Sequence, residues 1–229
     1  MTTLFKEKII IAVGGSLLVP DTIDINFIKD LRKIISGLVN QNYQVILVPG
    51  GGKTARNYQE ALKELHQTDS EGLDWVGIKS IHLNSELLYR VFADFDVHPI
   101  IYKSEELKEI HSSLVIKAAF KPGHSSDMGA VRMAEISGAI RIINFSNTTH
   151  VYDADPRTNI NAKKFDKLSW SEYRNVIPTE WVPGMSAPFD PVASQLAQEL
   201  GITVAVLGAS VENLQNYLDG NTFEGTLLS

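Results

Sequence analysis

Lys8-Ile9-Ile10-Ile11-Ala12-Val13-Gly14-Gly15-Ser16 is an apolar, strand-length run ending in consecutive glycines, and Gln44-Val45-Ile46-Leu47-Val48-Pro49-Gly50-Gly51-Gly52-Lys53 repeats the arrangement. A strand that breaks into glycines lets backbone N–H groups crowd toward one point, and a following helix adds its positive end. One such turn is equally a plain strand-to-helix connection. Two of them in one chain predict sites for two phosphoryl groups.

Working outward, Val97–Ile101, Leu114–Ala118, Ile140–Phe145 and Ile202–Leu207 are further β-branched runs that read as buried strands. Between the strands, Ile28, Leu31, Ile34, Ile35 and Leu38 recur at three- and four-residue steps. Ala55–Leu65, Ile81–Phe92, Met128–Ile136 and Val192–Leu200 share that helical spacing. The alternation predicts βαβ units, a mainly parallel sheet and a ligand site beyond the strands' carboxyl ends. Tyr152–Lys167 is polar and holds Asp155-Pro156, so it reads as an irregular excursion or a hairpin.

The 229 residues are 44% hydrophobic and 21% charged, which places the chain among folded globular proteins. A net charge of −6 argues against nucleic acid or an anionic membrane as a general partner. There is no cysteine, hence no disulfide, thiolate metal site or cysteine nucleophile. No signal peptide or membrane span is read in the chain, and a cytoplasmic location is expected.

Neither glycine turn has the spacing of a dinucleotide fingerprint or a P-loop. Lys53 and Arg56, three apart after the second turn, read either as a phosphate clamp or as a solvated helix face. Pro122-Gly123-His124-Ser125-Ser126-Asp127 precedes a helix. Its serines and Asp127 read either as a local N-cap or as hydroxyls for a phosphate beside a carboxylate that orients a cation. Gly184-Met185-Ser186-Ala187-Pro188-Phe189-Asp190-Pro191 repeats the choice, with Asp190 as a cap or as a second carboxylate near bound phosphates.

Taken in order, these segments resemble the amino acid kinase family, most closely its archaeal-type uridylate (UMP) kinases. Asp74-Trp75-Val76-Gly77-Ile78 with Asn84, and Tyr152–Pro156 with Asn161-Ala162-Lys163, add to the likeness, which covers nearly the whole chain. The resemblance implies a three-layer αβα sandwich with a mainly parallel central sheet. It also implies a single domain with an acceptor lobe over about 1–135 and an ATP lobe over about 136–229. The implied activity is ATP-dependent phosphorylation of UMP to UDP, with Mg²⁺ accompanying ATP and no metal site built from protein ligands alone. By the same resemblance the chain forms a homo-oligomer, a hexamer built from dimers.

Residue by residue, the resemblance gives Gly14, Gly15 and Ser16 to the transferred phosphoryl group and Gly51, Gly52 and Arg56 to the acceptor phosphate. Ser125 and Ser126 complete that pocket, and Asp74 meets the nucleoside. Lys53, Asn147, Tyr152, Asp155, Pro156 and Lys163 fall on the ATP side, while Asp127 and Asp190 organise the reacting centre.

Many family members carry lysine two residues before the first glycine pair, and this chain has Ala12. Lys53, Lys117 and Lys121 are candidate replacements, with Lys121 foremost. Thr149-His150 stands in place of Asp-Gly before the ATP loop, Ala118-Ala119 in place of Gly-Gly, and Ile81-His82 in place of Thr-Arg. Two other readings therefore accompany the kinase. One is a catalytically weakened nucleotide- or oxyanion-binding protein of the kind the molybdenum storage proteins represent. The other is a kinase for a different small phosphate or carboxylate.

Overall fold

A computed structural model describes residues 5–66, 69–180, 187–208 and 210–229. In chain order it contains β1 (Glu7–Val13), α1 (Gly15–Leu18), α2 (Ile25–Asn40), β2 (Tyr43–Pro49), α3 (Gly52–Glu64) and α4 (Ser70–Val91). A 3₁₀ helix (Ser104–Glu109), β3 (Leu114–Ile116), α5 (Ser126–Ser137) and β4 (Arg141–Ser146) follow. The second half adds β5 (Val151–Tyr152), β6 (Lys164–Phe165), β7 (Lys167–Leu168), α6 (Trp170–Asn175), α7 (Pro191–Glu199), β8 (Thr203–Gly208), α8 (Val211–Leu218) and β9 (Gly225–Leu228).

Seven strands form one sheet in the order β3-β2-β1-β4-β8-β9-β7, parallel from β3 through β8, with β9 antiparallel to β8. The strand residues alternate between two cores, as the period of two requires. Ile10, Ala12, Ile46, Val48, Val115 and Ile142 face α5, α6 and α7. Ile9, Ile11, Val13, Val45, Leu47 and Ile116 face α2, α4 and α8. The result is the three-layer αβα arrangement. Because β1 lies between β2 and β4, the crevice beyond its carboxyl end is the switch point at which open sheets bind ligands.

Several expectations meet the structure differently. Val97–Ile101 makes only isolated bridges, Val97 to Leu114 and Ile101 to Lys117, because Pro99 between them has no N–H to continue a ladder. The helix expected over 81–92 starts much earlier, where the Asp69 side chain accepts from Gly72 N at 2.8 Å. The polar 152–167 stretch is a hairpin, with β5 and β6 paired antiparallel. Gly184, Met185 and Ser186 lie outside the described residues.

Candidate active site

β1 and β2 run side by side in register, Val13 against Pro49, so their glycine turns leave the sheet together. Gly14 N donates to Phe145 O at 3.0 Å, and Gly50 N donates to Val13 O at 2.9 Å. The two turns then touch backbone to backbone. A Cβ on Gly15 would lie 2.1 Å from Gly52 N, and Gly52 has φ +70 with its own Cβ position 2.5 Å from Gly15 O. Side chains are excluded at both positions. Buried Asn84 of α4 holds the second turn from behind, donating to Gly50 O at 2.8 Å and Gly51 O at 3.3 Å.

The turns open on a cleft of about 560 Å³. Gly14, Gly15, Ser16, Gly51 and Gly52 form its floor, where the first amides of α3 have no partner within the helix. Arg56 and Asp74 line one side, Ser125, Ser126 and Asp127 another, and Asn147 and Asp190 the β4 side. Asp74 Oδ2 accepts from Gly123 N at 2.7 Å, tying the start of α4 to the Pro122–Asp127 turn. The capping readings hold together with the lining: Ser125 accepts from Met128 N at 3.1 Å and Asp190 from Ala193 N at 2.7 Å.

Asp127 and Asp190 are brought together across the cleft's base, where Asp127 Oδ2 accepts from the Asp190 amide at 2.9 Å. Burial, then the Asp190 carboxylate, push the Asp127 carboxyl up to about 7, although the amide hydrogen bond favours its charged form. Buried Tyr173 fixes the preceding residue, its hydroxyl donating to Phe189 O at 2.5 Å and accepting from Phe189 N at 2.7 Å. Two crowded carboxylates of this kind fit a divalent cation. Among the described residues no group of three or more His, Cys, Asp or Glu could cage a metal, so Mg²⁺ here would be completed by phosphate oxygens and water.

A side pocket of about 200 Å³ opens from the cleft and shares Ser146, Asn147, Arg157, Ala187 and Pro188 with it. Its lining includes Tyr152, Asp155 and Pro156, the expected ATP-side residues, together with Val176 and Ile177. His150, 4% exposed, also lines it, its ring nitrogen 3.0 Å from Thr149 Oγ1. Burial, then Lys164, hold the His150 pKa below its usual value, so the imidazole is neutral there.

Three expected residues stand elsewhere. Gly52, Ala55, Arg56 and Gln59 are the cleft-facing set of α3, and Lys53 is rotated about 100° round the helix from their centre. Lys163 is exposed on the hairpin, its amide donating to Asp153 Oδ1 at 2.8 Å. Lys121 lines a neighbouring cavity rather than the cleft, as does Lys117. Ala12 is buried among apolar neighbours. Among the described lining residues, the arginines and lysines of the cleft are therefore Arg56 and Arg157 alone. Arg157 was not among the expected site residues. It pairs with Asp155 at 2.8 Å, and its only sequence signal is its place beside the Asp155-Pro156 turn.

Residues 7–208 match the model of the amino acid kinase family. The chain is 29% identical over 226 residues to the uridylate kinase of Methanococcus aeolicus, covering 97% of this chain and 99% of that one. It is 30% identical over 225 residues to the uridylate kinase of Archaeoglobus fulgidus, covering 97% and 100%. The crystal structure of the Archaeoglobus fulgidus uridylate kinase superimposes with a TM-score of 0.82 at 28% identity, covering 97% of this chain and 100% of that one. With this match over most of its length, the chain belongs to the amino acid kinase family.

Proposed function

We propose that this chain is a cytoplasmic, ATP-dependent uridylate kinase that phosphorylates UMP to UDP and thereby feeds pyrimidine nucleotide synthesis. One observation carries the reading: two touching glycine turns open on a single cleft that continues into a side pocket lined by the hairpin. The uridylate kinases it resembles along nearly their whole length support the choice of acceptor.

In this reading a UMP phosphate oxygen attacks the γ-phosphorus of ATP as the bond to the ADP oxygen breaks, with no covalent intermediate on the protein. Arg56, Ser125 and Ser126 hold the acceptor phosphate, Asp74 the ribose, and the amides of the first turn the moving phosphoryl group. Tyr152, Asp155 and Pro156 enclose the nucleoside of ATP. Asp127 and Asp190 would hold Mg²⁺, which would neutralise phosphate charge when bound. Arg157, turning from its ion pair with Asp155, would provide the cationic side chain that Ala12 cannot.

The resemblance also supports assembly into a homo-oligomer, a hexamer in the expected form. Tyr58 of α3 and Leu83 of α4, each 64% exposed, are apolar surface consistent with a subunit contact. The function is tested by incubating the purified chain with ATP, Mg²⁺ and UMP, CMP, AMP or small carboxylates and identifying the products. UDP formation selective for UMP is expected. ATP binding without turnover of any acceptor overturns the kinase in favour of a binding protein, and turnover of another acceptor overturns UMP.

A further inference from the structure

The alternation that builds the two cores is broken at one position. Val115 packs on the α5 side and Ile116 on the opposite side, so residue 117 returns to the α5 side, where an apolar side chain belongs. The residue is Lys117, only 9% exposed. Among the described residues its ammonium has no hydrogen-bond or ion-pair partner. Burial pushes its pKa down, opposed by the charge of Glu105, which lines the same cavity without forming an ion pair with it. The helix beside it makes room: a Cβ at Gly129 would stand 3.1 Å from Lys117 Nζ.

Lys117 lines a cavity of about 750 Å³ between the 3₁₀ helix and α5, a size ordinary for small-molecule sites. Lys103, Lys108 and Lys121 also line it. Arg132 and Glu135 on the same wall pair with each other at 2.7 Å, leaving Glu105 as the acid to set against four lysines. A strongly positive pocket thus sits on a chain of net charge −6. Phe120, 48% exposed, adds a flat apolar wall with the Lys103 ammonium 5.0 Å from its ring centroid.

We propose that this cavity is a second ligand site, separate from the reaction cleft, that takes a phosphorylated small molecule with its phosphate on Lys117 and its organic body against Phe120. The phosphate would supply the hydrogen-bonded anionic partner that Glu105 does not give Lys117, and the exposed lysines would steer it in. The two cavities share Ile81, His124, Ser125 and Ser126 as a common wall, so the second ligand touches the turn that lines the cleft. The proposal stands whichever acceptor the cleft uses.

Calorimetric titration of the full chain with inorganic pyrophosphate tests it, alongside Lys117→Met, the double variant Lys103→Ala with Lys108→Ala, and Arg56→Ala. Lys117→Met keeps an unbranched side chain one atom shorter and removes the charge. It is expected to weaken binding about tenfold or more and to raise the melting temperature of the unliganded protein. The rim double variant is expected to weaken binding about threefold or more. At least one pyrophosphate is expected to bind Arg56→Ala within about twofold of its wild-type affinity, an equilibrium constant shift small beside tenfold.

Absence of pyrophosphate binding to the wild type overturns the proposal, as does unchanged binding by folded Lys117→Met or a lowered melting temperature in that variant. Loss of all binding in Arg56→Ala overturns it too, because the anion then occupies the reaction cleft. Should Lys117→Met fail to fold, unchanged binding by the rim variant decides against the site, since both rim residues are exposed.

Discussion

Arg56 of α3 and Arg157 of the β5–β6 hairpin face the same cleft, and the proposed division of labour between them predicts different kinetics. Arg56→Ala is expected to raise KM for UMP about tenfold with a smaller effect on kcat, the pattern of lost acceptor binding. Arg157→Ala should lower kcat by about two orders of magnitude, as removal of a charge stabilising the transition state does. Steady-state kinetics against UMP at saturating ATP separate the two, and the reverse pattern would exchange their roles. Asp127 carries a pH prediction. Its folded pKa of about 7 lies above the unfolded carboxylate value of about 3.9, so the folded state binds the proton more tightly. That contribution is complete below the unfolded pKa, declines as pH rises between the two values, and is gone above the folded one. Asp127→Asn should therefore melt above the wild type at pH 8 and close to it at pH 4; the opposite order would mean that the carboxylate is stabilised as an anion. At this scale the sequence was legible where a residue belongs to a turn bound to a strand, as with Gly15, Gly51 and Ser126. It was misleading for Lys53 and silent for Arg157, because helix rotation and hairpin reach are set by tertiary packing.

The paired glycine turns depend on elements that hold them, and the most exposed dependency is the contact between Gly15 and Gly52. Gly15→Ala would place a methyl 2.1 Å from Gly52 N, with backbone rather than a flexible side chain in the way. A loss on the order of 3 kcal/mol is expected, read by denaturant unfolding, and wild-type stability would refute the close approach. Asn84→Ala leaves Gly50 O and Gly51 O without their buried donor and should cost about 1–3 kcal/mol. The strands of the parallel core and the helix before β2 were legible because their apolar periods are long and unbroken. Val97–Ile101 had the composition of a strand, yet Pro99 denies it a ladder. The short β9 and α6 were missed because four and six residues carry too little periodicity to distinguish them from loop.

Across the whole molecule, the parallel order β3-β2-β1-β4-β8 places the ends of β1, β2 and β4 on one edge, which is why segments more than a hundred residues apart share a cleft. The parallel sheet followed from the βαβ alternation, whereas the strand order and the exposure of Tyr58 and Leu83 could not be read before the elements were packed. Sedimentation of the purified chain should give a discrete oligomer, and a strictly monomeric species at micromolar concentration would refute the proposed assembly. In the proposed function both glycine turns serve one cleft, and donor and acceptor meet there directly. The most direct test is inhibition by a bisubstrate analogue in which five phosphates join adenosine to uridine. Competition against both ATP and UMP is expected, weakened by Arg56→Ala and by Arg157→Ala alike; competition against ATP alone, with UMP kinetics untouched, would mean that the acceptor binds outside this cleft.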